Sequence, residues 1–110
     1  MIEHITVESG KILRLEFTHF AVSIGGSINT CLDDFVKITD EDGTTLMDHS
    51  CGYSNEPSSY NYFQPPIITS FTNTVEIYFN TNDEDARSGW SLVWAAMAAG
   101  GCLTSSCLIL

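Results

Sequence analysis

Apolar and polar residues alternate along several short stretches of this chain. In one of them, Leu13, Leu15 and Phe17 alternate with Arg14 and Glu16. Because successive side chains of a strand point to opposite faces, this pattern predicts strands with one face in a core and the other in water. Similar runs recur at residues 5–7, 35–38, 67–71, 74–79 and 90–94.

Residues that favour turns separate these runs. They include Gly25-Gly26, Asp42-Gly43 and the segments 55–59 and 82–89. Short strands at intervals of roughly 8–12 residues are typical of antiparallel β-sandwiches rather than of alternating strands and helices. The predicted fold class is therefore all-β, an antiparallel β-sandwich, and 110 residues are enough for one such domain.

The charge of the chain limits its partners. Fourteen acidic residues against four basic ones give a net charge of −10. Nucleic acid is excluded as a partner, because its binding is driven by Lys and Arg that neutralise phosphates. An acidic surface instead attracts basic proteins and peptides. No stretch approaches the ~20 apolar residues of a membrane span, and no signal peptide is visible at the start.

Four cysteines in a short chain indicate an oxidising, extracellular compartment. They allow three pairings, and their spacing alone does not choose among them. None of them completes a zinc motif with the histidines. The four are Cys31, Cys51, Cys102 and Cys107.

Five segments, in order and covering about residues 2 to 96, give this chain a resemblance to the CUB domain family. A first strand and glycine turn lead into L-x-F-x-x-F at Leu15 to Phe20, and C-x-x-D-aromatic-x-x-I follows at Cys31 to Ile38. The other three segments are the D-G turn at Asp42-Gly43, the C-G at Cys51-Gly52, and the strand from Val75 whose following loop ends in Gly89-Trp90.

The resemblance implies a jelly-roll-like sandwich over residues 1–97, followed by a tail of small residues at 98–110. It also implies a disulfide between Cys31 and Cys51, the alternative being two free buried thiols. Family members usually begin with another strand and another disulfide, so we expect the first strand to be missing or supplied from elsewhere. Cys102 and Cys107 have no counterpart in the family pattern; they would close a small loop, or one would tether a neighbouring chain.

Many CUB domains bind calcium, and the resemblance implies Asp34 as the middle ligand here. The first ligand position falls near Ser23, where no acid is present, and the third falls on Asn82, beside Asp83. Calcium needs six to eight oxygens, so the loss of carboxylates predicts weak binding at most. The alternative is that Asp34 hydrogen-bonds a turn and that the acids after Asn82 form a solvated loop.

The sequence predicts a non-catalytic, secreted binding module that recognises an extracellular protein presenting Lys or Arg. No G-x-S-x-G motif supports catalysis. An alternative is a structural subunit, a homo-oligomer or part of a larger assembly, joined by strand completion; the apolar end 103–110 would cover an open sheet edge in its own chain or in a partner. The predicted binding residues are the acids Asp33, Glu84 and Asp85 and the aromatics Tyr60 and Tyr62.

Overall fold

A computed structural model describes residues 1–81 and 89–98 of the chain. These residues form strands, turns and loops, and no helix occurs among them. Accordingly, the described part contains no helix that could cross a bilayer. The strands are β1 (Ile2–Thr6), β2 (Lys11–Val22), β3 (Phe35–Asp40), β4 (Thr45–Ser50), β5 (Gly52–Tyr53), β6 (Ile68–Thr69), β7 (Thr74–Asn80) and β8 (Gly89–Ala98).

The strands form two antiparallel sheets. The first sheet has the order β1-β7-β3-β4. The second is built on β2, which pairs with β8 from Lys11↔Ala98 to Ala21↔Gly89. The short strands β5 and β6 pair with parts of β2 that also pair with β8, so they lie along the opposite edge of β2. The prediction of an all-β, antiparallel sandwich is confirmed.

The core lies between the two sheets, and β2 contributes its longest row of side chains. Leu13, Leu15 and Phe17 are buried, as their alternation predicts. Phe20 is also buried although it follows Phe17 by three residues, a spacing that places two side chains on opposite faces of a regular strand. A bulge between Phe17 and His19 removes this conflict, because one extra residue in β2 returns Phe20 to the core face.

The predicted disulfide between Cys31 and Cys51 is present. Cys31 lies in the loop before β3, and Cys51 lies between β4 and β5. The bond therefore joins the loop between β2 and β3 to the junction between β4 and β5. Cys102 and Cys107 lie outside the described residues, and so does the predicted apolar end 103–110.

A buried carboxylate fastens the opposite end of β3. Asp40 is 2% exposed and accepts hydrogen bonds from the Phe71 backbone nitrogen and the Thr72 hydroxyl, each at 2.5 Å. Its own backbone nitrogen donates to the Thr44 carbonyl over 2.8 Å. Asp40 thus connects β3 to the segment between β6 and β7.

Side chains of β8, at the edge of the second sheet, are more exposed than the sequence pattern predicts. Trp94 pairs with Leu15 and shares its core-facing side of the sheet, yet Trp94 is 51% exposed whereas Leu15 is completely buried. Val93, on the other face, is 55% exposed. Alternation along the strand therefore gives the face of Trp94 correctly but not its burial.

Candidate functional site

Where β2 ends and β3 begins, two loops border an open pocket of about 570 Å³. One loop, residues 23–34, connects β2 to β3, and the other follows β5. Ligand pockets typically have volumes of about 300–1,000 Å³, so this one could hold a side chain or a small molecule. The pocket is lined by Ser23, Ile24, Gly25, Gly26, Asp33, Tyr53, Glu56 and Asn61.

The first loop fixes Asp33 in the wall of the pocket. The Ser23 hydroxyl donates a hydrogen bond to Asp33 Oδ2 over 2.9 Å. Gly25 has a φ of +62°, and a Cβ at that position would lie 2.5 Å from the Asp33 backbone nitrogen. Only glycine meets both conditions, so Gly25 is what allows the loop to pack directly against Asp33.

The second loop is held against β5 by backbone hydrogen bonds. The Tyr53 nitrogen donates to the Asn61 carbonyl over 2.9 Å, and the Phe63 nitrogen donates to the Tyr53 carbonyl over 3.2 Å. Gly52 permits this approach, because a Cβ there would lie 2.8 Å from the Asn61 oxygen. Together with the neighbouring disulfide, these contacts hold both walls of the pocket in place.

The pocket is negatively charged. Two carboxylates line it, those of Asp33 and Glu56, and none of the Lys and Arg residues that the structure describes is among the lining residues. The basic residues of the described ranges 1–81 and 89–98 are Lys11, Arg14 and Lys37, which lie on β2 and β3. Two carboxylates in one concave site attract an ammonium or guanidinium group.

Exposed apolar side chains adjoin the pocket in sequence. Tyr60, which precedes the pocket residue Asn61, is fully exposed, and Tyr62 is 43% exposed. Leu32, which precedes Asp33, is 75% exposed. Aromatic and aliphatic side chains around a charged centre are typical of protein-recognition surfaces.

The structure brings together some of the predicted site residues. Asp33 lines the pocket, and Tyr60 and Tyr62 are exposed residues on either side of the lining residue Asn61 in sequence. The remaining predicted binding residues, Glu84 and Asp85, lie outside the described residues.

Of the three predicted calcium ligands, Asp34 lies in the described part of the chain. Asp34 is 3% exposed at the start of β3, where its backbone nitrogen donates to the Ser23 carbonyl over 3.2 Å. Asn82 and Asp83 lie outside the described residues. Within residues 1–81 and 89–98, no group of three or more His, Cys, Asp or Glu side chains could hold a metal ion. These residues alone therefore do not fit a calcium site, which needs six to eight oxygens.

The family model of the CUB domain matches residues 3–94. The chain belongs to the CUB domain family. Its members are non-catalytic binding modules, which agrees with the prediction from the sequence.

Over most of its own length, this CUB domain is similar in sequence to the cubilins of two species. It is 32% identical to human cubilin over 110 residues, which cover 96% of this chain and 3% of that protein. It is 29% identical to rat cubilin over 96 residues, covering 87% of this chain and 2% of that protein. The chain thus corresponds to a very small part of each relative.

A solved structure is similar in fold. The CUB1-EGF-CUB2 domain of human MASP-1/3 matches with a TM-score of 0.70 and 24% identity, covering 90% of this chain and 36% of that one. This likeness supports the sandwich described above.

Glu56 and Asn61 are pocket residues that the sequence analysis missed. Both lie in the turn-rich segment after β5, more than twenty residues from Asp33. The implied disulfide was the available signal, because joining Cys31 to Cys51 brings the residues that follow each cysteine close together.

Proposed function

We propose that this CUB domain is an extracellular binding module whose acidic pocket takes a Lys or Arg side chain of a partner protein. The observation that carries the proposal is that the carboxylates of Asp33 and Glu56 line one pocket. The structural disulfide supports an extracellular location, because such bonds persist in oxidising compartments.

The preorganisation of Asp33 favours a specific role over a general acidic surface. Its Oδ2 accepts the Ser23 hydroxyl, and its backbone packs on Gly25, so the carboxylate is already oriented before a ligand arrives. A fixed carboxylate loses less conformational entropy on binding than a mobile one. Glu56 is exposed and would adjust to the incoming cation.

Titration with single amino-acid derivatives tests the pocket directly. Amide spectra of the ¹⁵N-labelled protein would be followed while Nα-acetyl-lysine amide or Nα-acetyl-arginine amide is added. We expect shifts at the Gly25, Gly26 and Asn61 amides. The uncharged analogue Nα-acetyl-norleucine amide should give no such shifts.

Charge variants then assign the site. Asp33→Asn or Glu56→Gln should weaken binding about fivefold each, about 1 kcal/mol, since each removes one partly exposed charge. Glu76→Gln removes an equal charge from β7, outside the pocket, and should leave affinity unchanged. Equal weakening by all three variants, or shifts with the norleucine analogue, would show that the pocket does not recognise the cation.

Calcium assistance is a further part of the proposal, resting on Asp34 and on Asn82 and Asp83. Support comes from the family resemblance and from the position of Asp34 beside the pocket residue Asp33. A thermal melt in calcium against one in chelator tests it, because any ligand that prefers the native state raises the midpoint. Equal midpoints for the wild type would end the calcium proposal and leave the cation pocket intact.

Assembly by strand completion is a second candidate function. One observation favours it: β8 pairs with β2 and with no other strand of the described ranges, and its exposed side chains include Val93 and Trp94. A long edge strand with exposed apolar residues pairs readily with another strand.

A further inference from the structure

We propose that Asn29 is an N-glycosylation site, with Cys31 as the third residue of the acceptor sequence Asn29-Thr30-Cys31. In this reaction the side-chain nitrogen of Asn29 forms a bond to the first sugar of a lipid-linked oligosaccharide diphosphate. The bond between that sugar and the diphosphate breaks, the amide loses a proton, and the lipid diphosphate leaves. The proposal does not depend on what the acidic pocket binds.

The acceptor sequence has suitable chemistry at each of its three positions. The usual acceptor is N-x-S/T, in which x is not proline, and it lies in surface loops of secreted proteins. Thr30 occupies the middle position, and Cys31 supplies a thiol where the usual acceptor has a hydroxyl. A thiol is a weak hydrogen-bond donor and acceptor, so it replaces the hydroxyl but acts less effectively. We therefore expect a part of the secreted molecules to be glycosylated.

The disulfide between Cys31 and Cys51 does not prevent this reaction, because the two cysteines are synthesised in order. Glycan transfer takes place on the growing chain, before it folds. Cys51 follows Cys31 by 20 residues, so at a synthesis rate of about 5–20 residues per second it emerges about 1–4 s later. Cys102 and Cys107 follow later still. When the acceptor sequence reaches the transferase, the later cysteine that Cys31 pairs with has not yet been made.

The folded domain accommodates a glycan at Asn29. Asn29 and Thr30 are exposed, in the loop of residues 23–34 that connects β2 to β3. The Thr30 and Cys31 nitrogens both donate to the Ser27 carbonyl, over 3.3 Å and 3.0 Å. The Asn29 backbone nitrogen donates to Ser27 Oγ over 3.2 Å. The turn is thus held by backbone groups and by Ser27, and the Asn29 side-chain amide takes no part in these three bonds.

The position of the site within the chain is unambiguous. The chain contains six asparagines, and Asn29 alone is followed two residues later by Ser, Thr or Cys. Any N-glycan that is found on this chain therefore identifies Asn29. The same fact makes a single substitution sufficient to remove the site.

Secretion of the full chain from cultured animal cells, behind a cleavable signal peptide, tests the proposal. Intact mass spectrometry before and after treatment with peptide N-glycosidase F measures the glycosylated fraction. We expect a glycosylated population of the wild type that loses its glycan on treatment, with conversion of Asn29 to aspartate. Asn29→Gln keeps an exposed amide and should carry no glycan. A wild type without glycan, or a glycan that persists in Asn29→Gln, would overturn the proposal.

A matched pair of cysteine variants tests the role of Cys31. Cys31→Ala and Cys51→Ala both lack the disulfide and share its effect on folding, but only Cys31→Ala loses the thiol of the acceptor sequence. We expect Cys51→Ala to be glycosylated at least as fully as the wild type, and Cys31→Ala to carry no glycan. Cys31→Thr restores the hydroxyl of the usual acceptor and should be glycosylated more fully than the wild type.

The glycan is measured on protein from the cells as well as from the medium, because its transfer precedes folding and does not require secretion. A variant that misfolds is therefore still informative. Equal glycosylation of Cys31→Ala and Cys51→Ala would show that Cys31 is not part of an acceptor sequence and would overturn the proposal.

Discussion

Asp40 offers a sharp test of how this sandwich is held together. The carboxylate is 2% exposed, and its two oxygens accept the Phe71 backbone nitrogen and the Thr72 hydroxyl. The Thr72 hydroxyl also lies 3.0 Å from the Thr74 carbonyl, but it has one proton, and the closer Asp40 oxygen takes it. Replacing Asp40 by alanine would therefore remove the acceptor of two donors at once.

The expected loss follows from these two contacts. A hydrogen bond to a charged group contributes about 1.5–3 kcal/mol. Without Asp40 the Phe71 nitrogen loses its acceptor, whereas the Thr72 hydroxyl can donate to the Thr74 carbonyl instead. Asp40→Ala should thus lower the free energy of unfolding by about 2–4 kcal/mol, the loss of one such bond in full and of the other in part. Native domains are stable by about 5–15 kcal/mol, so a large part of the total stability would disappear. Asp40→Asn keeps one acceptor oxygen and should cost about half as much.

Urea denaturation followed by tryptophan fluorescence would measure this loss, with Asp42→Ala as the matched control. Asp42 lies two residues further along the same turn but is exposed, so its replacement should destabilise the fold much less than that of Asp40. A double-mutant cycle with Thr72→Val should show coupling between the two positions of about 1 kcal/mol or more. The reasoning is refuted if Asp40→Ala and Asp42→Ala have the same unfolding midpoint.

Three further outcomes are expected. Replacing both Cys31 and Cys51 by alanine should destabilise the fold by about 3 kcal/mol, because a crosslink over a separation of 20 residues restricts the unfolded chain; an unchanged denaturation midpoint would contradict this. Gly25→Ala should shift the Asp33 amide resonance and weaken lysine binding, because the new Cβ would lie 2.5 Å from the Asp33 nitrogen; unaltered spectra would show that the loop adapts without cost. Two hydrogen bonds from Thr44, the larger from its hydroxyl and the smaller from its backbone nitrogen, lower the pKa of Asp42 below its ordinary value of 3.8. The stabilisation by the ionised Asp42 carboxylate is therefore fully present above pH 3.8 and is lost as the pH falls through the lower pKa of the folded state. The difference in melting temperature between the wild type and Asp42→Asn should therefore shrink below pH 3.8, and a constant difference would contradict the assignment.

The fold could be predicted from the sequence because the alternation of apolar and polar residues within each strand is a local pattern. Alternation in β2 places Leu13, Leu15 and Phe17 on one face, and each is buried. The spacing of Phe17 and Phe20 does not follow a regular strand, and a bulge accounts for it. No local pattern states where such a bulge lies, since it depends on pairing between β2 and β8.

The acidic pocket could be predicted only in part from the sequence, because its walls come from distant parts of the chain. The sequence predicts Asp33 and Tyr60 as binding residues, but not Glu56. The position of Glu56 depends on the close approach of two loops, which Gly25 and Gly52 permit and the disulfide maintains. The sequence does not distinguish a glycine that is needed for close approach from a glycine in an open turn. Gly43 is of the second kind, since a Cβ added there would have nothing within 4 Å.

The two proposed surfaces respond to salt in opposite directions, and this follows from the distribution of charge in one small domain. Screening weakens the attraction between the Asp33 and Glu56 carboxylates and a cationic side chain, so binding at the pocket should fall as salt rises. Screening also weakens the repulsion between two acidic copies while leaving apolar contacts along β8 intact, so association through β8 should rise. A single salt series that follows both ligand binding and molecular mass therefore separates the two surfaces. If ligand binding and molecular mass changed in the same direction as salt rises, the assignment of these two roles to two separate surfaces would be wrong.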